Sequence, residues 1–368
     1  MSQSDDAMAA RLARVRERLA EQDMAGVLVT HLPNVRYLTG FSGSSGALLV
    51  RPDQAIFATD GRYAQQAAEE IDGDVFELLV ASDGLLEALT ERAGTGARGE
   101  RVAFESRYVS HEAWERMSET AGSVRWTAIS GIVEALRAVK DAGELARIEK
   151  AADLAARALV DMLPLVRPGV REAELAAELD FGMRRLGASG PAFETIVSSG
   201  PRTALPHAAT SDRRLREGDL VLFDFGARWA GYAADLTRVF VLGRPQPRQV
   251  EVYEKVLAAQ RSAMEVLRDG AAAVDVDRAA RSIFAEVDLE DRFPHSTGHG
   301  VGLEVHEGPR LSRRSEERVE AGMVVTVEPG LYFADWGGIR IEDDVVVTER
   351  EPRPLVDLPR DRLVSLPL

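Results

Sequence analysis

The sequence predicts an α+β protein, with a smaller α/β domain at residues 1–134 and a larger domain at residues 135–368 built from two related halves. Three observations predict this architecture. Short apolar runs alternate with helical stretches in the first third of the chain, and a long amphipathic helix begins near residue 145. In the remainder, two segments align without a gap at an offset of 104 residues, which indicates a duplication.

The first third shows the alternation of strands and helices that is typical of an α/β domain. The runs AGVLVT, GALLV and AIFAT, at residues 25–30, 46–50 and 55–59, predict strands, and YAQQAAEE, at residues 63–70, predicts a helix. The loop TGFSGSSG, at residues 39–46, lacks the Gly-Lys-Ser/Thr ending of a phosphate-binding loop. It is therefore predicted to be a flexible turn.

A long helix opens the second domain. Apolar residues recur there at intervals of three and four, which describes one face of an amphipathic helix: Leu145, Ile148, Ala152, Ala155, Leu159 and Met162. The change from short runs to this periodic stretch places a domain boundary between residues 130 and 140.

The two aligned segments are REGDLVLFDFG and EAGMVVTVEPG. Each has a glycine, an acid six positions later, and another glycine two positions after the acid; the acids are Asp224 and Glu328. Each segment is followed by a second predicted strand with a further acid, Asp235 in GYAADLTRVFV and Glu342 in GGIRIEDDVVV. One duplicated α+β half, with an acid-bearing hairpin in each copy, explains this pattern.

These acids lie in apolar surroundings. Asp224, for example, is flanked by Phe223 and Phe225. An isolated ionised carboxylate is costly to bury, so such a group is paired, protonated or bound to a metal. An ion pair is the ordinary explanation for one such acid, but here there are four, and the basic residue nearest in sequence is Arg340. Two divalent cations would neutralise them.

The segment FPHSTGHGVGLEVHE places three of the chain's six histidines within twelve positions. His299, between Gly298 and Gly300, is predicted to supply an imidazole, and the glycines are predicted to let the backbone approach a metal. Carboxylate oxygens with one imidazole favour Mn²⁺, Co²⁺ or Zn²⁺. The sequence has neither the second zincin histidine, since position 310 is arginine, nor the serine-hydrolase pattern G-x-S-x-G.

The composition of the chain limits the kinds of partner that it can bind. The formal charge of -15 argues against nucleic acid and anionic membranes, which bind positive surfaces. The chain has no cysteine, which excludes disulfides, thiolate metal sites and a cysteine nucleophile. No signal-peptide pattern or membrane-length apolar run is present, so a cytoplasmic location is expected.

The ordered motifs FDFG, ADLTR, GHGVGLEVHE, VEPGLY and GIRIED closely resemble the metallopeptidases of the pita-bread fold, which include methionine aminopeptidase, aminopeptidase P and prolidase. NVRYLTGFSGSSG and TDGRYAQQA resemble the N-terminal domain shared by aminopeptidase P, prolidase and creatinase. Together these motifs span residues 34–347. The resemblance implies a C-terminal pita-bread domain preceded by a smaller creatinase-like α/β domain.

The resemblance also implies a metal centre with two ions, expected to be Mn²⁺, with Co²⁺ or Zn²⁺ as alternatives. Asp224 would bind one metal through both oxygens, His299 and Glu328 would hold the other, and Asp235 and Glu342 would bridge them. A water activated by both metals would be the nucleophile.

Further roles are implied for neighbouring residues. Glu328 would accept the proton of the water, His306 would steady the tetrahedral intermediate, and His207 and His295 would contact the substrate and relay protons. Arg340 is expected to orient Glu342, two residues along the same strand, with Tyr332 hydrogen-bonded beside them.

The implied substrates are short peptides containing proline, cleaved by a homodimer. A strict dipeptidase must recognise the free carboxylate after proline, and related prolidases place an arginine between the VHE and VEPG motifs. The arginines of that interval lie in RLSRRSEERVE, a charged stretch predicted to be a solvated loop: Arg310, Arg313, Arg314 and Arg318. The sequence therefore favours an Xaa-Pro aminopeptidase with some dipeptidase activity. The alternatives are a strict Xaa-Pro dipeptidase and a non-catalytic binding scaffold, against which the five intact ligands argue.

Overall fold

A computed structural model describes residues 3–82, 84–95 and 99–368 of the chain. The chain divides into two compact units, Met1–Arg137 and Ala138–Leu368. None of the helices in the described ranges combines the length and the apolar character that a membrane span requires.

The N-terminal unit is built on a mixed sheet with the strand order β4-β3-β2-β1-β5-β6. Strand β1 pairs antiparallel with β2 and parallel with β5, and both β1 and β2 are buried along their whole length. The three strands predicted at residues 25–59 are confirmed as β1 to β3. The strands are β1 (Gly26–Val29), β2 (Ala47–Val50), β3 (Ala55–Asp60), β4 (Glu77–Ala81), β5 (Arg101–Glu105) and β6 (Arg125–Ile129).

Helices connect these strands, and the helix predicted at residues 63–70 is confirmed as α3. The serine-rich loop before β2 forms a bend in which the Ser42 and Ser45 hydroxyls donate to Glu70 and Asp60. The helices are α1 (Gln3–Glu21), α2 (Leu32–Thr39), α3 (Ala64–Glu70), α4 (Leu85–Gly94), α5 (His111–Thr120) and α6 (Ile132–Ala138).

The C-terminal unit repeats one arrangement, two helices followed by an antiparallel hairpin. The first copy consists of α7 (Ala142–Met162), α8 (Glu172–Arg185), β9 (Leu220–Phe225) and β12 (Leu236–Leu242). The second copy consists of α9 (Pro247–Val266), α10 (Ala273–Ala285), β15 (Val324–Val327) and β18 (Asp343–Val346). Gly169 and Gly270, which precede the second helix of each copy, both adopt left-handed backbone with φ of 89° and 75°. The predicted duplication is thus confirmed.

Shorter elements complete this unit. Its sheets have the orders β20-β12-β9-β8, β14-β13-β15-β18-β19, β11-β10-β7 and β16-β17. The additional strands are β7 (Gly190–Pro191), β8 (Ile196–Ser199), β10 (Ala227–Trp229), β11 (Tyr232–Ala233), β13 (Gly298–Gly300), β14 (Glu307–Leu311), β16 (Gly330–Phe333), β17 (Gly337–Arg340), β19 (Arg353–Pro354) and β20 (Val364–Leu366). The 3₁₀ helices are Leu163–Leu165, Gly200–Ala204 and Glu290–Arg292.

Helix α7 is the long amphipathic helix that the sequence predicts. Asp141 caps it, since its carboxylate accepts from the Glu144 amide at 2.8 Å while Glu144 accepts from the Asp141 amide. Except for Leu145, which is half-buried, the predicted apolar positions are buried: Ile148, Ala152, Ala155, Leu159 and Met162.

Strand β9 is buried on both faces, which explains its unbroken apolar run. Leu220 and Leu222 pack into the core of the second half, whereas Val221, Phe223 and Phe225 pack into the core of the first half. Asp224 therefore shares the face of Leu220 and Leu222, because successive side chains of a strand alternate between faces.

Candidate metal centre

The duplicated hairpins bring four acids together. Asp224 lies near the end of β9 and Asp235 immediately before β12; in the second half Glu328 follows β15 and Glu342 precedes β18. Thr237 in β12 pairs with Asp224 on one side and forms an isolated bridge with Glu342 on the other. The backbone pairing therefore places acids from both halves side by side.

The distances are short enough for shared metal ions. Ligand atoms lie within 4.8 Å of one another in three overlapping groups: Asp224, Asp235 and Glu342; His299, Glu328 and Glu342; and Asp235, His299 and His306. Asp235, His299 and Glu342 each belong to two groups, and of these three the two carboxylates can bridge because each has two oxygens. These two are the residues for which the resemblance implies bridging.

The four acids are buried close together, so their ionised forms need cations nearby. Burial raises the pKa of Glu328 to about 7 and raises the pKa values of Asp224, Asp235 and Glu342 above their usual range. Repulsion from neighbouring carboxylates adds to this increase in pKa at Asp235 and Glu342. Carboxylate oxygens with one imidazole and no thiolate fit Mn²⁺, Co²⁺ or Zn²⁺, which would replace the protons that these acids otherwise retain.

The ring of His299 is oriented for ligation. Its Nδ1 lies 3.1 Å from the carbonyl oxygen of Gly300, which can only accept, so Nδ1 carries the proton. Nε2 is then free to bind a metal, and it lies 3.5 Å from Glu328 Oε1 and 3.8 Å from Asp235 Oδ2. Burial lowers the pKa of His299, which keeps the ring neutral as a ligand must be.

The glycines beside His299 have a packing role that the sequence did not predict. A Cβ on Gly298 would lie 1.9 Å from the carbonyl oxygen of Thr326, and one on Gly300 would lie 2.1 Å from that of Gly308. Glycine at both positions therefore allows β13 to approach its neighbouring backbone. Their role in bringing the backbone close to a metal stays a prediction.

Arg340 also has a closer partner than the predicted one. Its Nη2 donates to Asp224 Oδ2 at 2.5 Å, whereas Nε is 3.9 Å from Glu342 Oε2. Arg340 Nε instead donates to the Thr237 hydroxyl at 3.0 Å, and that hydroxyl donates to Glu342 Oε2 at 2.5 Å. Arg340 thus contacts one metal-ligand candidate directly and reaches the other through a threonine.

Tyr332 hydrogen-bonds to Arg340, as expected, and also to His295. Its hydroxyl lies 2.8 Å from His295 Nε2 and accepts from Arg340 Nη1 at 3.0 Å. Since His295 Nδ1 faces the Ser296 carbonyl at 2.9 Å, Nδ1 carries the proton and the tyrosine donates to Nε2. Burial and the positive charge of Arg340 lower the pKa of His295 to about 3, and burial raises the pKa of Tyr332 to about 12. Both groups are neutral at physiological pH.

The acids open onto a cleft of ≈ 1180 Å³ that all three remaining histidine candidates line. His207 and His306 are exposed and His295 is half-buried. The His306 ring lies 4.4 Å from that of His299. The structure therefore brings every predicted site residue to one cleft except Tyr332, which is buried and contacts His295 and Arg340.

Thr237 is a residue that the sequence interpretation missed. It is fully buried, and its hydroxyl is the hydrogen-bonded link between Arg340 and Glu342. Two other buried groups were also missed. The Thr326 hydroxyl lies 3.4 Å from Glu328 Oε1, and Asp344 Oδ2 accepts from the Asp235 amide at 2.8 Å. All three lie two residues from a site acid, so strand periodicity is the signal that could have found them.

Comparisons with known proteins agree with this geometry. The family model described as metallopeptidase family M24 matches residues 146–349, and that of the creatinase/prolidase N-terminal domain matches residues 11–139. The Xaa-Pro dipeptidase of Pyrococcus furiosus is 36% identical over 97% of this chain and 100% of its own length.

Two solved structures illustrate the likeness. The Xaa-Pro dipeptidase from Bacillus anthracis superposes with a TM-score of 0.93 at 35% identity, covering 98% of this chain and 100% of its own. The X-Pro aminopeptidase from Thermotoga maritima superposes with a TM-score of 0.87 at 36% identity, covering 96% and 99%.

Proposed function

The chain belongs to metallopeptidase family M24, and from that premise we propose that it hydrolyses the bond between a residue and a following proline, with Xaa-Pro dipeptides as its preferred substrates. The observation that carries the dipeptide assignment is the position of Arg314, an exposed arginine in the wall of the metal-centre cleft. The Xaa-Pro dipeptidases among its relatives support the same assignment.

Five residues would hold two metal ions, which we propose to be Mn²⁺, with Co²⁺ or Zn²⁺ as substitutes: Asp224, Asp235, His299, Glu328 and Glu342. When bound, the ions would lower the pKa of water and stabilise negative charge on the carbonyl oxygen. Among the described residues, Arg340 is the only cation that hydrogen-bonds to the four acids. The metal ions would therefore neutralise most of the negative charge of these acids.

The protein groups around the ions would move protons and orient the peptide. Glu328 is the most accessible of the four acids, with 15% of its side chain exposed, so it can accept the proton of the attacking water. His306 and His207 face the cleft and can donate to the oxygen of the tetrahedral intermediate. His295 is neutral and held by Tyr332, so it would contact the substrate without carrying charge.

The arginine-rich stretch supports the dipeptidase proposal over the aminopeptidase. The prediction of a solvated loop led to the preference for an aminopeptidase, but Arg310, Arg313 and Arg314 line the cleft. Arg313 is paired with Glu290 at 2.9 Å, whereas neither Arg310 nor Arg314 forms an ion pair with another described residue. The guanidinium of Arg314, like that of Arg310, is therefore available for the free carboxylate that directly follows proline in a dipeptide.

An Xaa-Pro aminopeptidase is the second candidate. The cleft is larger than the ~300–1,000 Å³ typical of small-molecule pockets, so it has room for peptides beyond the dipeptide. The Thermotoga maritima X-Pro aminopeptidase has nearly the same sequence identity to this chain as the dipeptidases.

The test compares kcat/KM for an Xaa-Pro dipeptide, its C-terminal amide and an Xaa-Pro-Xaa tripeptide. We expect Arg314→Ala to lower kcat/KM for the free dipeptide by about 10- to 100-fold, because a charge-assisted hydrogen bond contributes ~1.5–3 kcal/mol. The amide should be affected little. Arg318→Ala is the matched control, since Arg318 lies in the same stretch but donates to the Gly270 carbonyl instead.

Equal kcat/KM for the dipeptide and tripeptide, unchanged in Arg314→Ala and in the Arg313→Ala/Arg314→Ala double variant, would favour the aminopeptidase. A homodimer and a cytoplasmic location, both expected from the sequence and the resemblance, belong to the same proposal. Light scattering and cell fractionation test them.

A further inference from the structure

A buried ion pair on α10 lies against residues 293–297, the segment that carries His295 and leads into His299. Asp277 and Arg281 are one helical turn apart, with Arg281 Nε donating to Asp277 Oδ2 at 2.7 Å. Their side chains are 1% and 8% exposed. Neither residue is among the metal ligands, yet both direct their remaining polar atoms at residues 293–297.

Arg281 contacts the backbone on both sides of Pro294. Its Nη1 donates to the Phe293 carbonyl at 2.9 Å and its Nη2 donates to the His295 carbonyl. The guanidinium also lies 4.2 Å from the centre of the Phe293 ring, which in turn meets the His295 ring edge-on at 4.8 Å. Arg281 therefore restrains both the backbone and the ring of His295.

Asp277 restrains the other end of the segment. Its Oδ1 accepts from the Thr297 amide at 3.1 Å and from the Thr297 hydroxyl at 2.9 Å. The Thr297 carbonyl accepts from the Glu328 amide at 2.8 Å, and Thr297 lies two residues before His299. The Asp277 carboxylate thus fixes Thr297, whose backbone is joined to His299 through the chain and to Glu328 through a hydrogen bond.

These contacts complete the hydrogen bonding of the segment. Residues 293–297 lie between a 3₁₀ helix and β13; the Phe293 and Thr297 amides donate to the Glu290 and Leu311 carbonyls, whereas the Phe293 and His295 carbonyls accept from the Arg281 guanidinium. An ion pair of this kind adds little stability over apolar packing when it is merely buried. Here the polar atoms that the ion pair does not use internally hydrogen-bond to residues 293–297.

We propose that Asp277 and Arg281 are positioning residues of the metal centre, with Arg281 holding His295 for turnover and Asp277 holding His299 and Glu328 for metal binding. The turnover part rests on the proposed peptidase function; the metal-binding part does not. The two residues should therefore separate experimentally.

The test measures Mn²⁺ affinity of the metal-free protein by calorimetry, and kcat and KM of the loaded protein on an Xaa-Pro dipeptide. We expect Arg281→Met to lower kcat by about 10- to 100-fold with little change in KM or Mn²⁺ affinity, as outer partners of metal sites do. Asp277→Ala should lower Mn²⁺ affinity by about the same factor. Arg281→Lys, which keeps the charge but cannot reach both carbonyls, should fall between wild type and Arg281→Met.

Arg278→Met is the matched control, because Arg278 forms an exposed ion pair with Asp275 on the same helix, with side chains 66% and 47% exposed. It should change neither quantity. Wild-type kcat in Arg281→Met together with wild-type Mn²⁺ affinity in Asp277→Ala would overturn the proposal, as would equal losses in the control.

If circular dichroism shows that Arg281→Met is unfolded, Arg281→Lys decides, and wild-type kcat in that variant overturns the assignment. If the wild-type protein binds Mn²⁺ but does not cleave Xaa-Pro bonds, the proposed function fails. The loss of Mn²⁺ affinity in Asp277→Ala would then still support the positioning role.

Discussion

Thr237→Val should weaken metal binding without disturbing the fold. The Thr237 hydroxyl donates to Glu342 Oε2 at 2.5 Å and accepts from Arg340 Nε at 3.0 Å, and the side chain is fully buried. Valine fills the same space, so packing is kept, but Glu342 Oε2 loses the donor and Arg340 Nε loses the acceptor that the hydroxyl supplies. The loss falls on the ionised form of Glu342, which is the form that binds metal.

The size of the effect follows from these contacts. A hydrogen bond to a charged group contributes ~1.5–3 kcal/mol, and ~1.4 kcal/mol corresponds to a tenfold change in affinity. We therefore expect the site that includes Glu342 to bind Mn²⁺ about 10- to 100-fold more weakly, measured by calorimetric titration of the metal-free protein. Thr237→Ser keeps the hydroxyl and should stay near the wild-type affinity.

Thr39→Val is a control for the loss of a buried threonine hydroxyl elsewhere. Thr39 is fully buried in the N-terminal unit, where its hydroxyl donates to the Val35 carbonyl at 2.8 Å. This variant should lose some thermal stability but no Mn²⁺ affinity. Wild-type Mn²⁺ affinity in Thr237→Val, or the same loss in Thr237→Ser, would refute the argument that the hydroxyl supports Glu342.

Three further predictions concern the acids. Chelation should abolish peptide hydrolysis and Mn²⁺, Co²⁺ or Zn²⁺ should restore it; full activity in protein shown by elemental analysis to be metal-free would contradict the metal centre. Glu342→Gln should remove activity and lower metal occupancy while the metal-free fold persists, and a variant with wild-type turnover and two bound metals would place the site elsewhere. In the metal-free protein, burial raises the pKa of Glu328 to about 7, and those of Asp224, Asp235 and Glu342 are raised as well. The folded chain then holds protons that the unfolded chain releases, so this contribution to stability is complete below about pH 4 and is lost as pH rises through about 7. The melting temperature of the metal-free protein should therefore decrease as the pH is raised from about 5 to about 8, and the increase in melting temperature on adding Mn²⁺ should become larger over the same range. The opposite trends would show that the acids are not held protonated.

The acid framework could be predicted from the sequence because the duplication repeats it. Asp224 and Glu328 occupy equivalent positions in two gapless segments, and the apolar strands around them predict burial. Strand alternation and the order of motifs were enough to group these acids. These signals are local in sequence and therefore readable before the fold is known.

The contacts between the two halves were harder to predict from the sequence. Arg340 is two residues from Glu342 in sequence, which suggested that pairing, but its guanidinium reaches Asp224 in the other half instead. The glycines beside His299 face neighbouring strands, a contact that only the sheet register reveals. The charge pattern of RLSRRSEERVE is the same for a solvated loop as for the wall of a water-filled cleft, so composition alone could not place Arg314.

The duplication also explains how the site combines a common framework with unlike walls. In each half, the stretch between the second helix and the first hairpin strand lines the cleft. The first half contributes Phe193, Pro206 and His207 there, whereas the second contributes three further histidines and the arginine-rich stretch. The acids are equivalent because each half needs its own hairpin to bury them, but nothing in the packing of the hairpins constrains these stretches to remain alike. A metal centre held by the symmetric framework would therefore face an apolar surface on one side and, on the other, a wall of mixed charge that includes Arg314, which is the combination that the proposed substrate, a proline ring with a free carboxylate, would need.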